Sequence, residues 1–152
     1  PAGASQQLLG VYSDHLVRTI AEVLHALGSE RAMVVHGKDG MDELTVFATN
    51  HVAELKDGVI TEYEVDPAAY GLSHTDRSHV AGGSAAENAA RTRAILAGEK
   101  GAARDIVVLN TAAALVVAGV TEDMAAGVAR AQLAIDSGDA ARKLADMAAF
   151  RG

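Results

Sequence analysis

Apolar residues recur at every third or fourth position near the start of the sequence. Residues 13–28 show this spacing, with Ser13 or Asp14 before the apolar positions and Gly28 after them, which predicts a capped amphipathic helix. An unbroken apolar run, RAMVVHG at 31–37, comes next. A run this short, with no alternation, is typical of a strand that is buried on both faces, so we expect a parallel strand here.

A period of two residues follows this run. The segment LTVFA at 44–48 predicts a second short strand, and the segments at 51–56 and 58–65 predict two more. Asp57-Gly58 lies between the last two and is a hairpin signal, so we expect these strands to be antiparallel. The near-alternation of the last segment favours a half-exposed edge strand.

The second half of the sequence has a helical pattern. After a predicted loop at 66–81, helices are predicted at residues 85–97, 103–118, 121–136 and 139–149. Of the 32 alanines in the chain, 23 lie in this half, where Ala favours close-packed helix. Thr121 and Ser137 are expected as caps. The fold class predicted is α/β, with a mixed sheet, parallel plus an antiparallel edge, surrounded by helices and an Ala-rich helical C-terminal half, all in one domain over 1–152.

Composition and charge exclude several classes of protein. The 152 residues carry a formal net charge of −7 and include no cysteine, which excludes disulfides, thiolate catalysis and Cys-ligated zinc. No apolar run approaches the ~18 residues that a membrane span needs. Arg91, Arg93 and Arg104 are predicted on a solvated helical face and are too few for nucleic-acid recognition. We therefore expect a cytoplasmic protein that binds neither membrane nor nucleic acid.

The densest polar cluster is HGKDGMDE at 36–43, directly after the buried strand. Ligands of parallel α/β sheets collect beyond the carboxyl ends of strands, so this turn is placed where chemistry usually occurs. Asp42 and Glu43 are adjacent carboxylates of the kind that hold Mg²⁺. On spacing alone, such a pair is more often part of an ordinary solvated turn. His36 is predicted to be a hydrogen-bonded structural residue rather than a base or a metal ligand.

Other polar positions give weaker signals. Gly82-Gly83-Ser84 before a helix could present backbone N–H groups to an anion, but such a sequence is more often simply a helix entry. Asn88 and Asn110 are predicted to be buried amides that tie loops or backbone together.

Five segments, in order along the chain, point to a known family. They are PAGASQQLLGVYS, VVHGKDGMDEL, VAGGSAAENA, RDIVVLNTAAALVVAG and AIDSGDAARKL. Together they closely resemble the C-terminal half of the anthranilate phosphoribosyltransferases of tryptophan biosynthesis. The resemblance implies the larger α/β domain of a nucleoside phosphorylase/phosphoribosyltransferase-like fold, here incomplete, in an enzyme that is usually a homodimer.

The resemblance also implies a reaction and its residues. The phosphoribosyl group of phosphoribosyl pyrophosphate is transferred to anthranilate with Mg²⁺ as the cofactor, and Asp42 and Glu43 match the acidic pair that holds the metal. The step His36-Gly37 and Gly40 match the turn that positions this pair. The family's pyrophosphate loop and anthranilate-binding residues precede the segment that begins at Pro1. We therefore expect a fragment that has no catalytic residue of its own and is inactive alone.

Three other functions remain open at this point. One is a purely structural or interaction module that truncation has created. A pyrimidine nucleoside phosphorylase would share the architecture and use phosphate in place of pyrophosphate. A nucleic-acid-binding relative would keep the fold without the activity, although the net charge of −7 counts against it.

Overall fold

A computed structural model describes residues 3–150, apart from the side chain of His79, so Pro1 lies outside the described residues. The described residues form four strands and five helices, with 3₁₀ turns at Pro67–Tyr70 and Ser78–Val80. In chain order these elements are β1 (Gln6–Gly10), α1 (Leu16–Ala26), β2 (Arg31–Gly37), β3 (Asn50–Lys56), β4 (Val59–Val65), α2 (Ala85–Leu96), α3 (Ala102–Val117), α4 (Met124–Asp136) and α5 (Asp139–Ala149).

The strands form one mixed sheet in the order β1-β2-β3-β4. β1 and β2 are parallel, while β3 pairs antiparallel with both β2 and β4. Asp57 and Gly58 both have positive φ angles, of 51° and 76°, which is the geometry of the tight hairpin turn that their sequence predicts. The fold class, the parallel strand, the hairpin and the antiparallel edge strand are thus confirmed.

Helices cover both faces of this sheet. On one face Val17, Ala21 and Leu24 of α1 pack against Val34 of β2. On the other, Met33 of β2 belongs to a larger apolar cluster that includes α3 and α4. Because neighbouring residues of β2 point to opposite faces, both sets of its side chains are buried, which explains the unbroken apolar run.

Three local predictions are wrong. Residues 44–48 form an irregular loop rather than a strand. Thr121 does not cap α4, because Asp123 is the N-cap and its carboxylate accepts from the Ala126 N–H at 2.8 Å. The N-cap of α5 is Gly138, although the neighbouring Ser137 hydroxyl accepts a bond from the Asp139 N–H at 3.3 Å.

The prediction that three arginines lie on a solvated helical face is also wrong for one of them. Arg104 is 2% exposed, and its guanidinium donates to the Asp136 carboxylate at 2.8 Å. Since Arg104 lies in the first turns of α3 and Asp136 ends α4, the ion pair joins these two helices. Arg104 is therefore a buried packing residue rather than part of a solvated basic face.

This ion pair predicts a pH dependence of folding. The hydrogen bond from Arg104 holds the pKa of the Asp136 carboxyl below its ordinary value, with a smaller contribution from Lys100. A lowered folded-state pKa stabilises the fold fully above the ordinary carboxyl pKa of ~3.9, and this stabilisation is lost as the pH falls through the lowered value. We expect Arg104→Met to return the pKa of Asp136 toward the ordinary value, as measured by NMR titration of its carboxyl carbon.

Lys100→Met is the matched control. Its ammonium lies 3.4 Å from the same carboxylate but is mostly exposed, so the control should shift this pKa less. Equal shifts in the two variants would show that the buried guanidinium has no special role.

In the described part of the chain, no helix is both long enough and apolar enough to cross a membrane.

Candidate functional site

The candidate site lies where the two parallel strands end at the same edge of the sheet. Gly10, the last residue of β1, is in register with Val35 of β2. Just beyond, the Val11 N–H donates to the Val35 carbonyl at 3.0 Å, and the His36 ring nitrogen Nδ1 lies 2.8 Å from the Val11 carbonyl oxygen. His36 is only 7% exposed, so this bond gives a buried ring nitrogen a partner and links the two strand ends.

A tight turn follows β2 and carries the acidic pair. The Gly37 N–H donates to the Met41 carbonyl at 2.9 Å, and the Gly40 N–H donates to the Gly37 carbonyl at 2.8 Å. Gly40 has a φ of +95°, a conformation that a residue with a Cβ rarely adopts. His36 and Gly37 thus end β2, and Gly40 lies in the turn between this strand end and the two carboxylates.

The end of β1 contacts this turn directly. A Cβ atom built on Gly10 would lie 1.7 Å from the carbonyl oxygen of Asp42, a distance that no pair of non-bonded atoms adopts. The backbone of β1 therefore lies against the backbone of the acidic pair. Sequence reasoning missed both β1 and Gly10, because QQLLG is a short segment with no period of its own.

Two asparagine side chains hold the loop that follows. Asn110 of α3 accepts from the Leu44 N–H at 3.0 Å and donates to the Leu44 carbonyl at 2.8 Å. Asn50, which is fully buried, accepts from the Thr45 N–H at 2.6 Å and donates to the Thr45 and Val65 carbonyls at 3.0 and 3.1 Å. These amides replace the strand pairing that LTVFA predicts, so the chain directly after Glu43 has a fixed path without being in the sheet.

We expect Asn50→Ala to lower the free energy of unfolding by about 3 kcal/mol, because it leaves buried backbone groups without hydrogen-bond partners. Urea denaturation of the chain measures this change. Asn88→Ala is the control. Asn88 also bonds the backbone, at Gly83, but it is exposed rather than buried as predicted, so water can replace the amide and the loss should stay below about 1 kcal/mol. Similar losses in both variants would contradict the role given to Asn50.

The acidic pair itself is accessible. Asp42 is exposed and Glu43 is partly buried. Burial raises the pKa of the Glu43 carboxyl above its ordinary value, and the charge of Asp42 raises it further. Among the residues that the structure describes, neither carboxylate has a hydrogen-bond or ion-pair partner. The pair is thus a local concentration of negative charge that a cation would relieve.

Asp42 and Glu43 fit one mode of Mg²⁺ binding, in which the protein supplies only part of the coordination. Within residues 3–150 no group of three or more His, Asp or Glu side chains could hold a metal. Mg²⁺ is usually bound by one or two carboxylates together with waters and substrate phosphates, rather than in a closed protein cage. Asp42 and Glu43 therefore fit an ion that is shared with a phosphate-bearing ligand.

The start of α2 offers no comparable anion site. The Ser84 N–H donates to the Glu87 carboxylate at 2.7 Å, and the Ser84 hydroxyl accepts from the Glu87 N–H at 3.3 Å. This capping box uses backbone donors that an anion would need. The Gly82-Gly83-Ser84 segment is thus a capped helix entry.

The chain is similar to known proteins in both sequence and fold. The family described as "Glycosyl transferase family, a/b domain" matches residues 1–141. An anthranilate phosphoribosyltransferase of Rhodospirillum rubrum is 50% identical over the whole chain, which covers 44% of that relative. The anthranilate phosphoribosyltransferase TrpD of Thermus thermophilus superposes with a TM-score of 0.77 at 39% identity, over 86% of this chain and 38% of that one.

A third relative carries ligands. The anthranilate phosphoribosyltransferase of Saccharomyces cerevisiae, in complex with PRPP and Mg, superposes with a TM-score of 0.80 at 26% identity, over 91% of this chain and 41% of that one. The chain thus spans less than half the length of these relatives. Since the family match covers most of its residues, the chain belongs to the family described as "Glycosyl transferase family, a/b domain".

Proposed function

We propose that this chain supplies the metal-holding part of an anthranilate phosphoribosyltransferase. The observation that carries the proposal is the Asp42–Glu43 pair, whose carboxylates have no partner within residues 3–150. The pair lies on a turn that contacts the carboxyl ends of two parallel strands. The relatives named above support phosphoribosyl pyrophosphate and anthranilate as the substrates. The products are N-(5-phosphoribosyl)anthranilate and pyrophosphate, a step of tryptophan biosynthesis.

The reaction exchanges one bond for another at the anomeric carbon of the ribose. The bond from this carbon to the pyrophosphate oxygen breaks, the bond to the anthranilate nitrogen forms, and the amine loses a proton. Positive charge develops on the sugar and negative charge on the departing pyrophosphate. When bound, Mg²⁺ neutralises charge on the phosphate oxygens.

The chain's own residues bind and orient in this scheme. Asp42 and Glu43 would hold the metal beside the pyrophosphate. His36, Asn50 and Asn110 keep the strand end and the following loop in place, which fixes the direction in which the pair points. No residue of this chain is assigned contact with the reacting carbon or nitrogen.

Three further parts of the proposal concern the whole protein. We propose a homodimer in the cytoplasm, with the pyrophosphate loop and the anthranilate-binding residues supplied by sequence other than these 152 residues. The incomplete match to the relatives' length supports this division of the site.

Turnover of anthranilate tests the proposal. Loss of anthranilate fluorescence, with phosphoribosyl pyrophosphate and Mg²⁺ present, is measured for the product of the complete gene that carries this sequence and for the 152-residue chain alone. We expect turnover only by the former. Turnover by neither, together with phosphorolysis of a pyrimidine nucleoside, would replace the proposal with the phosphorylase. Turnover by the short chain would contradict the proposed division of the site.

A further inference from the structure

Asp39 is a buried carboxylate on the turn that carries the acidic pair. Its side chain is only 8% exposed. One oxygen accepts from the Met41 N–H at 3.3 Å, and the other accepts from the Thr45 hydroxyl at 2.7 Å. Asp39 thus joins the residue before the Asp42–Glu43 pair to a residue after it.

A carboxylate in this environment is costly unless a positive charge compensates it. The compensating group is the guanidinium of Arg77, which donates to the same oxygen that binds Thr45. Arg77 comes from the segment between β4 and α2, 38 residues away along the chain.

A second contact fixes the position of this guanidinium. It lies over the ring of Phe47, with its carbon 5.3 Å from the ring centroid, which is a cation–π arrangement. The Phe47 N–H in turn donates to the Thr45 hydroxyl at 3.2 Å. Arg77, Asp39, Thr45 and Phe47 therefore form one bonded group, which we name the Arg77 clamp, around the loop that presents the acidic pair.

The segment that carries Arg77 is itself anchored. The His74 N–H donates to the Val46 carbonyl at 2.8 Å, and the His74 ring nitrogen Nε2 lies 2.7 Å from an Asp105 carboxylate oxygen at the start of α3. The clamp thus connects the turn to the helical layer through a segment with its own attachments.

We infer that Arg77 is a positioning residue for the metal site: through Asp39 it holds the turn in the conformation that directs Asp42 and Glu43 at one divalent cation. This inference rests on the proposed function of the acidic pair. Partners that orient metal ligands typically change metal affinity by about 10- to 100-fold when they are removed.

The sign of the effect separates positioning from simple electrostatics. Arg77 carries a positive charge near an acidic site, so a purely electrostatic role means that its removal strengthens cation binding. A positioning role means that its removal weakens binding. Arg77→Lys keeps the charge but loses the planar fork and its stacking, so it should bind the cation with intermediate affinity.

The test is Mn²⁺ affinity of the 152-residue chain, measured by water-proton relaxation for Arg77→Met, Arg77→Lys, Asp42→Asn and the control Arg91→Met. Arg91 is another hydrogen-bonded arginine, but its guanidinium donates to the backbone carbonyl of Ala81, and it has no contact with the clamp among the described residues. We expect weakening of about tenfold for Arg77→Met, less for Arg77→Lys and none for Arg91→Met. Hydrogen exchange of the amides at 39–45 should become faster in Arg77→Met, less so in Arg77→Lys, and should not change in Arg91→Met.

The outcomes distinguish the two claims. If Asp42→Asn weakens Mn²⁺ binding while Arg77→Met leaves it unchanged or strengthens it, the role of Arg77 is wrong and the proposed function stands. If Asp42→Asn has no effect, both the metal site and this inference fail. A loss in thermal stability with unchanged affinity would mark Arg77 as a packing residue only.

Discussion

Gly10→Ala is expected to abolish most of the activity of the protein by displacing the turn that carries Asp42 and Glu43. The added Cβ atom would lie 1.7 Å from the Asp42 carbonyl oxygen and 2.6 Å from its carbonyl carbon. Backbone atoms cannot move aside as the end of a flexible side chain can, so the strand and the turn must separate. A displacement of about 1 Å at a reacting centre costs on the order of a hundredfold in rate. Overpacking also costs about 1–3 kcal/mol of stability.

The measurement is kcat/KM at saturating Mg²⁺ for the product of the complete gene, together with the urea midpoint of the chain. Gly82→Ala is the matched control, because a Cβ atom there has no neighbour within 4 Å and the residue has no positive φ. We expect the control to keep its activity and its stability. Normal kinetics in Gly10→Ala would mean that the contact between β1 and the turn is not part of the site.

The second large effect is expected from the acidic pair itself. Asp42→Asn and Glu43→Gln remove negative charge while they keep the size of the side chain. Because neither carboxylate has a hydrogen-bond or ion-pair partner among the described residues, the fold should remain unchanged. Metal stabilisation of transition-state charge is worth several kcal/mol, so we expect kcat/KM to fall by about a hundredfold or more in each variant.

Asp57→Asn is the control for replacing a carboxylate by an amide at a position outside the site. Asp57 is exposed in the β3–β4 hairpin with a φ of 51°, which Asn tolerates well, so activity and stability should be retained. A magnesium titration in which Asp42→Asn and Glu43→Gln have the same midpoint and the same maximal rate as the unsubstituted protein would contradict the assignment.

Local patterns predicted the helices and most of the sheet well. The apolar run of β2 and the Asp57-Gly58 turn are set by neighbouring residues, so both could be predicted from the sequence. The strand predicted for LTVFA is wrong because backbone groups of this segment bond to the side chains of Asn50 and Asn110 rather than to a neighbouring strand. An alternating pattern cannot reveal such competition, because Asn110 is 66 residues away from its partner.

In the helical half, too, the local sequence does not show which charged residues are buried by distant contacts. Arginine is usually a surface residue, so the sequence predicts that Arg104 is exposed. Only the packing of α3 against α4 buries it beside Asp136. Asn110 was correctly predicted to tie the backbone, since an amide within an apolar helix needs hydrogen-bond partners, although it is partly rather than fully buried.

The sequence identifies the acidic pair of the candidate site but not the residues that hold its turn in place. Asp42 and Glu43 stand out because they lie in the polar turn that follows a buried strand, although their role as metal ligands remains a prediction. Gly10, Asp39 and Arg77 could not be found, because each depends on a contact between segments that are distant in sequence. These supporting residues are determined by tertiary structure rather than by any local motif.

The most direct test of the metal site is a residue-by-residue map of where a divalent cation binds this chain. Substoichiometric Mn²⁺ broadens the NMR signals of nearby amides, so the backbone spectrum of the 152-residue chain identifies the site without any assumption about activity. We expect the amides of Met41, Asp42 and Glu43 to be broadened first. Broadening that begins at another group of carboxylates, such as Asp14 and Glu62 beside His51, would contradict it.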